Sequence, residues 1–128
     1  MPLSTADAMR LVREHFERVF PKVCQACGRR YDTLREYVRD TKPRGAPSSF
    51  DADLGNWDTS QPMGALTYAD CPCGNTMALG TERMEMTDRL ALLSWVREQC
   101  ETRKVTPSVV LGELRTMIRE AAGVPKPT

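Results

Sequence analysis

The sequence contains few of the residues from which catalytic sites are commonly built. Its 128 residues include one histidine, His15, and lack a Gly-x-Ser-x-Gly motif, a Walker loop and a His-Glu-x-x-His motif. It has no charged-then-apolar leader and no long apolar run, so we expect neither a secretory signal nor a membrane span. The 18 Lys and Arg nearly balance the 17 Asp and Glu, which argues against wholesale electrostatic binding to nucleic acid or to an anionic membrane. These absences predict a cytoplasmic protein that is not an enzyme.

Four of the five cysteines form two closely spaced pairs. Cys24 and Cys27 lie in the sequence VCQACGRR, Cys71 and Cys73 lie in DCPCGNT, and a glycine follows each pair. In a zinc knuckle the thiolates sit on a turn, and a glycine after the second cysteine lets the chain leave that turn without a Cβ clash. Two such half-sites complete a closed tetrahedral shell. The sequence therefore predicts a structural Zn²⁺ ion bound by Cys24, Cys27, Cys71 and Cys73.

The cysteines also allow other interpretations. Two disulfides would suit a secreted protein, which this sequence does not resemble. A thioredoxin-like C-x-x-C follows a strand and opens a helix, whereas Cys24 follows a predicted helix end at Phe20-Pro21. Iron in a rubredoxin-like site uses the same four thiolates, so zinc and iron both remain open. Cys100 is left over, as expected for a free core thiol in a reducing compartment.

The first predicted element is a helix over residues 5–20. Ser4 and Asp7 form a capping-box variant before it, and apolar residues then repeat at helical spacing until Pro21. His15 lies one position from this apolar stripe. Because four cysteines already fill the metal shell, we expect His15 to be a surface or half-buried side chain rather than a ligand.

The last predicted element is an antiparallel helical hairpin over residues 87–123. Thr87-Asp88 and Thr106-Pro107 begin its two helices, and Gly123-Val124-Pro125 ends the second. Each helix carries an apolar stripe. We expect the stripes to form the domain core, and the alternative is that one of them mediates self-association or binds a partner protein.

Residues 22–86 hold the cysteine pairs and the predicted strands. Asp32-Thr33 caps a short helix that ends near Thr41, and residues 64–70 and 76–79 alternate like strands on either side of the second cysteine pair. The alternation continues over residues 81–86. The prediction is one α+β domain over residues 1–128, in which a zinc-bound antiparallel hairpin packs with the N-terminal helix and the C-terminal helical hairpin.

Between the short helix and the hairpin, residues 42–63 are predicted to form a long irregular loop. This stretch is polar and rich in proline, yet it carries Phe50 and Trp57. We expect the aromatic side chains to dock on the core. The alternative is a recognition surface in which they stay partly exposed beside three acidic residues, Asp51, Asp53 and Asp58.

Charge is distributed unevenly along the chain. Seven cationic and three acidic residues lie between Lys22 and Arg44, whereas residues 45–82 contain no Lys or Arg. The favoured explanation is that Arg29 and Arg30 balance the negative charge of the four thiolates. The alternative is that the segment Arg29–Arg44 binds an anionic partner such as nucleic acid.

The first cysteine pair and the helix after it carry a resemblance. Cys24-x-x-Cys27 followed by Leu34–Thr41 is similar to a cysteine-bearing segment beside receiver or sensor domains in bacterial signalling proteins. There a C-x-x-C precedes a short leucine–tyrosine helix, a threonine and a second cysteine pair. This chain has a longer insert before the second pair and C-P-C-G in place of C-P-x-C. The resemblance implies a bacterial regulatory or sensory accessory module.

The sequence thus predicts a small zinc protein that acts as a regulatory or signalling accessory, or as a protein-interaction module. Two alternatives accompany this prediction. One is a nucleic-acid-binding zinc protein that uses Arg29–Arg44, and the other is a thiol redox switch that releases zinc on oxidation.

Overall fold

The computed structural model describes residues 3–123, and the α+β class predicted from the sequence is confirmed. The elements in chain order are α1 (Thr5–Glu17), β1 (Lys22–Val23), β2 (Arg30–Tyr31), α2 (Leu34–Asp40), β3 (Lys42–Ser49), α3 (Phe50–Asp53), β4 (Ala65–Asp70), β5 (Thr76–Gly80), α4 (Met86–Arg103) and α5 (Pro107–Ala121). The strands form two antiparallel sheets, β1-β2 and β3-β4-β5. Val124 and Pro125, which were expected to follow the end of the last helix, lie outside the described residues.

Helix α1 begins as predicted but ends at Glu17 rather than at residue 20. The Ser4 hydroxyl accepts a hydrogen bond from the Asp7 backbone N–H at 3.0 Å, and the Asp7 carboxylate accepts one from the Ser4 N–H at 3.4 Å. After Glu17 the Arg18 N–H bonds to the carbonyl of His15, three residues back. This tighter turn satisfies the end of the helix before the chain reaches Pro21.

The predicted loop over residues 42–63 is wrong in its first half, because β3 and α3 occupy it. Strand β3 pairs with β4 from Lys42 opposite Asp70 to Ser49 opposite Ala65, with a register shift between Arg44 and Ser48. Its prolines made the segment look irregular. They are tolerated because β3 is an edge strand, where one side of the backbone needs no strand partner.

The hairpin of β4 and β5 forms as predicted, with the second cysteine pair at its turn. The expected continuation of the strand over residues 81–86 is wrong. The Thr81 hydroxyl accepts a hydrogen bond from the Ala65 N–H at 2.8 Å, and the Thr81 carbonyl accepts one from the Met84 N–H at 3.0 Å. The chain therefore turns at Thr81 and enters α4 at Met86.

The core lies where α1, α4 and α5 pack together, with α5 also against β3. Both C-terminal apolar stripes are buried there: Leu92, Leu93, Trp95 and Val96 from α4, and Val110, Leu111, Leu114 and Ile118 from α5. Trp57 is half-buried against this core, whereas Phe50 is 57% exposed. Docking of the aromatic side chains is thus confirmed for Trp57 and wrong for Phe50. No helix within residues 3–123 is long and apolar enough to span a membrane.

Candidate metal centre

The structure brings the side chains of Cys24, Cys27, Cys71 and Cys73 together. Their sulfur atoms all lie within 4.8 Å of one another. The Cys24 and Cys73 sulfurs are 3.6 Å apart, and the Cys27 and Cys71 sulfurs are 3.8 Å apart. All four are free thiols, because these distances are much longer than the sulfur–sulfur bond of about 2.0 Å in a disulfide. A tetrahedral ion with Zn–S bonds of about 2.3 Å places its sulfurs about 3.8 Å apart, so the cluster has the dimensions of a metal site.

The first cysteine pair occupies the turn of the β1–β2 hairpin. The Cys24 N–H donates to the carbonyl of Arg29 at 2.9 Å, and the Gly28 N–H donates to the carbonyl of Cys24 at 2.9 Å. Gly28 has φ +77°, a conformation that side-chain-bearing residues rarely adopt. The role predicted for this glycine is confirmed, since it returns the chain to β2 directly after Cys27.

The second pair occupies the tighter turn between β4 and β5. The Cys71 N–H donates to the carbonyl of Asn75 at 2.9 Å, and the Gly74 N–H donates to the carbonyl of Cys71 at 2.8 Å. Gly74 has φ +96°. The single residue between Cys71 and Cys73 is sufficient here, because both sulfurs project from one short turn toward the first hairpin.

Hydrogen-bond donors surround the two buried sulfurs. The Cys27 backbone N–H contributes most to lowering the pKa of Cys24 to about 6, and the Asn75 side-chain amide, 3.4 Å from the same sulfur, acts in the same direction. The Cys73 N–H is the main group that lowers the pKa of Cys71, followed by the Tyr31 hydroxyl, which donates to that sulfur at 3.1 Å. These donors stabilise thiolates, the form that binds metal.

The pKa of the exposed Cys73 is raised, in contrast to those of Cys24 and Cys71. The Asn75 N–H lowers its pKa, but burial within the cluster and hydrogen bonding with the other three sulfurs outweigh that donor and raise the pKa to about 12. Because like charges this close repel one another, the four thiols cannot all lose their protons without a compensating cation. A divalent ion would supply that charge, and a tetrahedral set of four sulfurs suits zinc or iron.

Sequence reasoning missed Tyr31 and Asn75. Tyr31 is fully buried; its hydroxyl contacts the Cys71 sulfur, and the guanidinium of Arg29 lies over its ring, 4.7 Å from the ring centroid. Asn75 directly follows the knuckle glycine Gly74, and this position next to the cysteine turn was the sequence signal that could have identified it as a neighbour of the cluster. Tyr31 is four residues beyond Cys27, and nothing in the local pattern connects it to Cys71.

The two arginines beside the first knuckle have different surroundings. Arg29 lies over the ring of Tyr31, whose hydroxyl donates to Cys71, and pairs with Asp40 at 2.6 Å. Arg30 is exposed and pairs with Asp32 at 2.6 Å. Of these two arginines, only Arg29 is shown beside a residue that contacts the cluster. Arg39 and Arg44 are also paired with carboxylates, at 3.2 and 3.1 Å.

The two remaining candidates lie outside the cluster. His15 is buried, and its Nε2 lies 3.1 Å from the carbonyl oxygen of Gly80. It is not a member of the four-sulfur group, as predicted, although it is more buried than expected. Cys100 is a free, half-buried thiol whose pKa is raised by burial, as expected for an inert core cysteine.

Comparisons of the chain with protein-family models, with curated proteins and with solved structures found no match.

Proposed function

We propose that Cys24, Cys27, Cys71 and Cys73 bind one structural Zn²⁺ ion and that the chain is a zinc-stabilised regulatory or protein-interaction module. The observation that carries the proposal is the cluster of four sulfurs within 4.8 Å of one another, with hydrogen-bond donors on its buried members. Four protein ligands leave no open coordination position for a reacting water molecule. The site therefore suits a structural role rather than a catalytic one.

The proposed ion would hold together two hairpins that belong to different sheets. One pair of ligands comes from the β1–β2 turn and the other from the β4–β5 turn. Because thiolate ligands require a reducing environment, a cytoplasmic location belongs to the same proposal.

Exposed apolar side chains support a role in protein interaction. The apolar stripes of α4 and α5 lie in the core, so a partner or a second copy would have to use another surface. Phe50, Leu54 and Met63 are 57%, 68% and 62% exposed and come from α3 and the segment after it. The resemblance of the first cysteine segment to bacterial signalling proteins supports the regulatory part of the proposal. Nucleic-acid binding has less support, because Arg29, Arg30, Arg39 and Arg44 each have a carboxylate neighbour.

The exposure of Cys27 and Cys73 supports a second candidate, a redox switch. In this scheme two thiolates give two electrons to hydrogen peroxide and join in a disulfide, the O–O bond of the peroxide breaks, and two protons from solvent complete two water molecules. The remaining sulfurs cannot retain the ion, and zinc is released. Zinc release in proportion to thiol loss, reversed by a dithiol reductant and added zinc, would support the switch.

Native mass spectrometry of the purified full chain tests the primary proposal. We expect one zinc ion per chain in the wild type and in Cys100→Ser, and none in Cys24→Ser. One iron ion would correct the identity of the metal. A metal-free wild type that melts cooperatively would overturn the proposal.

A further inference from the structure

The two edges of the three-stranded sheet differ in how they are protected. Strand β3 forms one edge and β5 forms the other. On β3, Pro43 and Pro47 lack a backbone N–H, and side chains of α5 donate hydrogen bonds to the carbonyls of Gly45 and Pro47. Prolines and covering contacts of this kind prevent an edge strand from pairing with another chain. Strand β5 contains neither a proline nor a charged residue, so of the two edges it is the one that lacks this protection.

The register of β4 and β5 shows which backbone groups of β5 point away from the sheet. At one end of the hairpin the Thr81 N–H donates to the Ala65 carbonyl at 3.0 Å. At the other end the Cys71 N–H donates to the Asn75 carbonyl at 2.9 Å. In an antiparallel pair, hydrogen-bonded positions alternate with positions whose N–H and C=O groups point outward. Counted by twos from both ends, the outward-pointing positions of β5 are Thr76, Ala78 and Gly80.

The Gly80 end of this edge is already occupied. The Gly80 carbonyl accepts a hydrogen bond from Nε2 of His15 on α1 at 3.1 Å, and the Glu82 carboxylate lies where a Cβ at Gly80 would be. The backbone N–H and C=O groups of Thr76 and Ala78 have no such partner among residues 3–123. The open part of the edge thus offers two donors and two acceptors to another chain.

A groove lies beside this edge. Its volume is about 260 Å³, and its walls include Ala78 and Leu79 from β5 and His15 and Val19 from α1 and the turn after it. Since one water-sized atom needs roughly 10–15 Å³, the groove has room for roughly 20 atoms, which is about three amino-acid residues. Val19 and Leu79 give it apolar surface. The space therefore suits a short extended segment with an apolar side chain.

The charged residues of the groove favour an acidic ligand. Lys22 and Arg83 line it together with one acidic residue, Glu82. Within the described part of the chain, neither the Lys22 ammonium nor the Arg83 guanidinium has a carboxylate within 4.0 Å. A ligand that carries carboxylates would complement these two cations.

We propose that the β5 edge binds an extended acidic peptide of a partner protein, which adds a strand to the sheet beside residues 76–79. The backbone of the peptide pairs with the N–H and C=O groups of Thr76 and Ala78. Because side chains alternate along a strand, one set faces the groove while its carboxylates reach the two cations. A second copy is a poorer occupant, since its own α1 lies beside the same edge. The site contains none of the cysteines and rests only on the protein-interaction part of the proposed function.

Fluorescence anisotropy of labelled eight-residue peptides with the purified full chain tests this proposal. The first peptide alternates valine and glutamate, and the second alternates valine and lysine. The third is the valine–glutamate peptide methylated at every backbone nitrogen, so that it has no N–H donor. We expect the first peptide to bind and the other two to bind at least about tenfold more weakly, because one lacks the charge and the other lacks the hydrogen bonds.

Hydrogen exchange measured by nuclear magnetic resonance locates the bound peptide. Exchange of the Thr76 and Ala78 amides should slow when the valine–glutamate peptide is added, because both N–H groups then donate to the peptide backbone. The N–H groups of Met77 and Leu79 already face β4 and should change less. A peptide held only by its charges would not produce this difference.

Two variants and one control make the test specific. Ala78→Pro removes an N–H that makes no bond within the sheet, so the sheet should persist while peptide affinity falls at least about tenfold. Arg83→Gln removes an exposed cation without altering a strand and should weaken binding severalfold at low salt. Arg10→Gln, the matched control, removes an exposed cation near the other end of α1 and should leave peptide binding unchanged.

Several results would overturn the proposal. They are the absence of binding of the valine–glutamate peptide at millimolar concentration, equal binding of either other peptide, and unchanged exchange at Thr76 and Ala78. Dimerisation in sedimentation, with slow exchange at Ala78 before any peptide is added, would instead make a second copy the occupant. Metal content measured on the same samples reports separately on the four-cysteine site, so failure of one proposal is distinguishable from failure of the other.

Discussion

The two hairpins that carry the cysteines are supported very differently. Strands β1 and β2 pair at two positions and form a two-stranded sheet. Strands β4 and β5 pair at five positions, and β3 adds a third strand on the other side of β4. A two-stranded hairpin is marginally stable in water, whereas a three-stranded sheet covered by helices is not.

A bound metal ion would therefore stabilise the two hairpins to different degrees. The β4–β5 turn is already held by its strands, so its cysteines are presented by a formed scaffold. The β1–β2 hairpin instead depends on the contacts that its own buried residues, mainly Cys24 and Tyr31, make with the second hairpin. Cys24 lies 3.6 Å from the Cys73 sulfur, and the Tyr31 hydroxyl donates to Cys71. The first hairpin thus takes its position from the second.

The largest expected effect is loss of the metal itself. Cys24→Ser and Cys73→Ser should each lose the bound ion and lower the melting temperature on the order of 10 °C or more, since metal-binding free energy in such sites is folding free energy. Calorimetric melting with metal analysis measures both quantities. Cys100→Ser should match the wild type in both, and a metal-loaded Cys24→Ser with a wild-type melt would contradict the assignment.

Removal of the metal should affect the two hairpins unequally. After chelation, amide hydrogen exchange should accelerate by orders of magnitude in residues 22–31 and much less in residues 65–70 and 76–80, because only the second hairpin has other strand support. Mass spectrometry of peptic fragments resolves the two regions. Equal acceleration in both would show that the metal holds the hairpins to the same degree.

The next effect concerns the hydroxyl that joins the two hairpins. Tyr31→Phe should lower the free energy of unfolding by about 1.5–3 kcal/mol, because it removes the buried hydroxyl that donates to the Cys71 thiolate beside the Cys73 N–H. Urea denaturation of the metal-loaded protein measures this difference. Tyr37→Phe is the matched control and should be nearly neutral, since its hydroxyl has no partner in residues 3–123. Equal costs in the two variants would contradict a specific role for the Tyr31 hydroxyl.

The knuckle glycines allow a smaller comparison between the two turns. A Cβ at Gly28 or Gly74 would meet no atom within 4 Å, so alanine tests backbone conformation alone. Alanine should cost roughly 1–2 kcal/mol at each, and more at Gly74, because φ +96° is farther from the left-handed optimum than φ +77°. Urea denaturation ranks the two variants, and a larger cost at Gly28 would contradict this order.

The smallest expected effect separates Arg29 from Arg30. Arg29→Gln should increase the rate at which a thiol reagent displaces the metal, because Arg29 lies over Tyr31, whereas Arg30→Gln should not. The hydrogen bond from Arg39 and the charge of Arg39, followed by the charge and the hydrogen bond of Arg29, hold the pKa of Asp40 below its ordinary value of 3.8.

Arg29→Gln should also change how the free energy of unfolding depends on pH in acid. Ionised Asp40 stabilises the fold above pH 3.8 and loses that effect as pH falls through its lower folded-state pKa. The acid limb of the stability profile should therefore be shallower in Arg29→Gln than in Arg30→Gln. If the two variants have the same stability profile in acid and lose metal to the thiol reagent at the same rate, both arginines are ordinary surface charges.

The features that the sequence predicted correctly are those with local causes. Ser4, Thr33 and Thr106 all cap helices, because a cap depends on residues three positions apart. The two cysteine turns were predicted for the same reason, since Gly28 and Gly74 directly follow each pair.

The features that the sequence missed depend on distant partners. Strand β3 was hidden by Pro43 and Pro47, whose tolerance depends on β3 lying at a sheet edge. The turn at Thr81 is stabilised by Ala65, sixteen residues earlier. Asp51 belonged to the alternative recognition surface, but it is buried and accepts the Met63 N–H at 2.6 Å. A local pattern carries no information about such partners.

The arrangement of the cysteine turns also bears on the order in which the protein can acquire its structure during synthesis. The four cysteines of the cluster precede α4 and α5 in the chain, whereas much of the apolar surface of the core belongs to those two helices. A ribosome therefore completes the ligand set before it completes the core. An ion bound at that stage would hold the β1–β2 hairpin beside the β4–β5 hairpin before α5 has packed against the larger sheet. The metal would then act as an early restraint on a nascent chain, and the helices would close over a framework already in place.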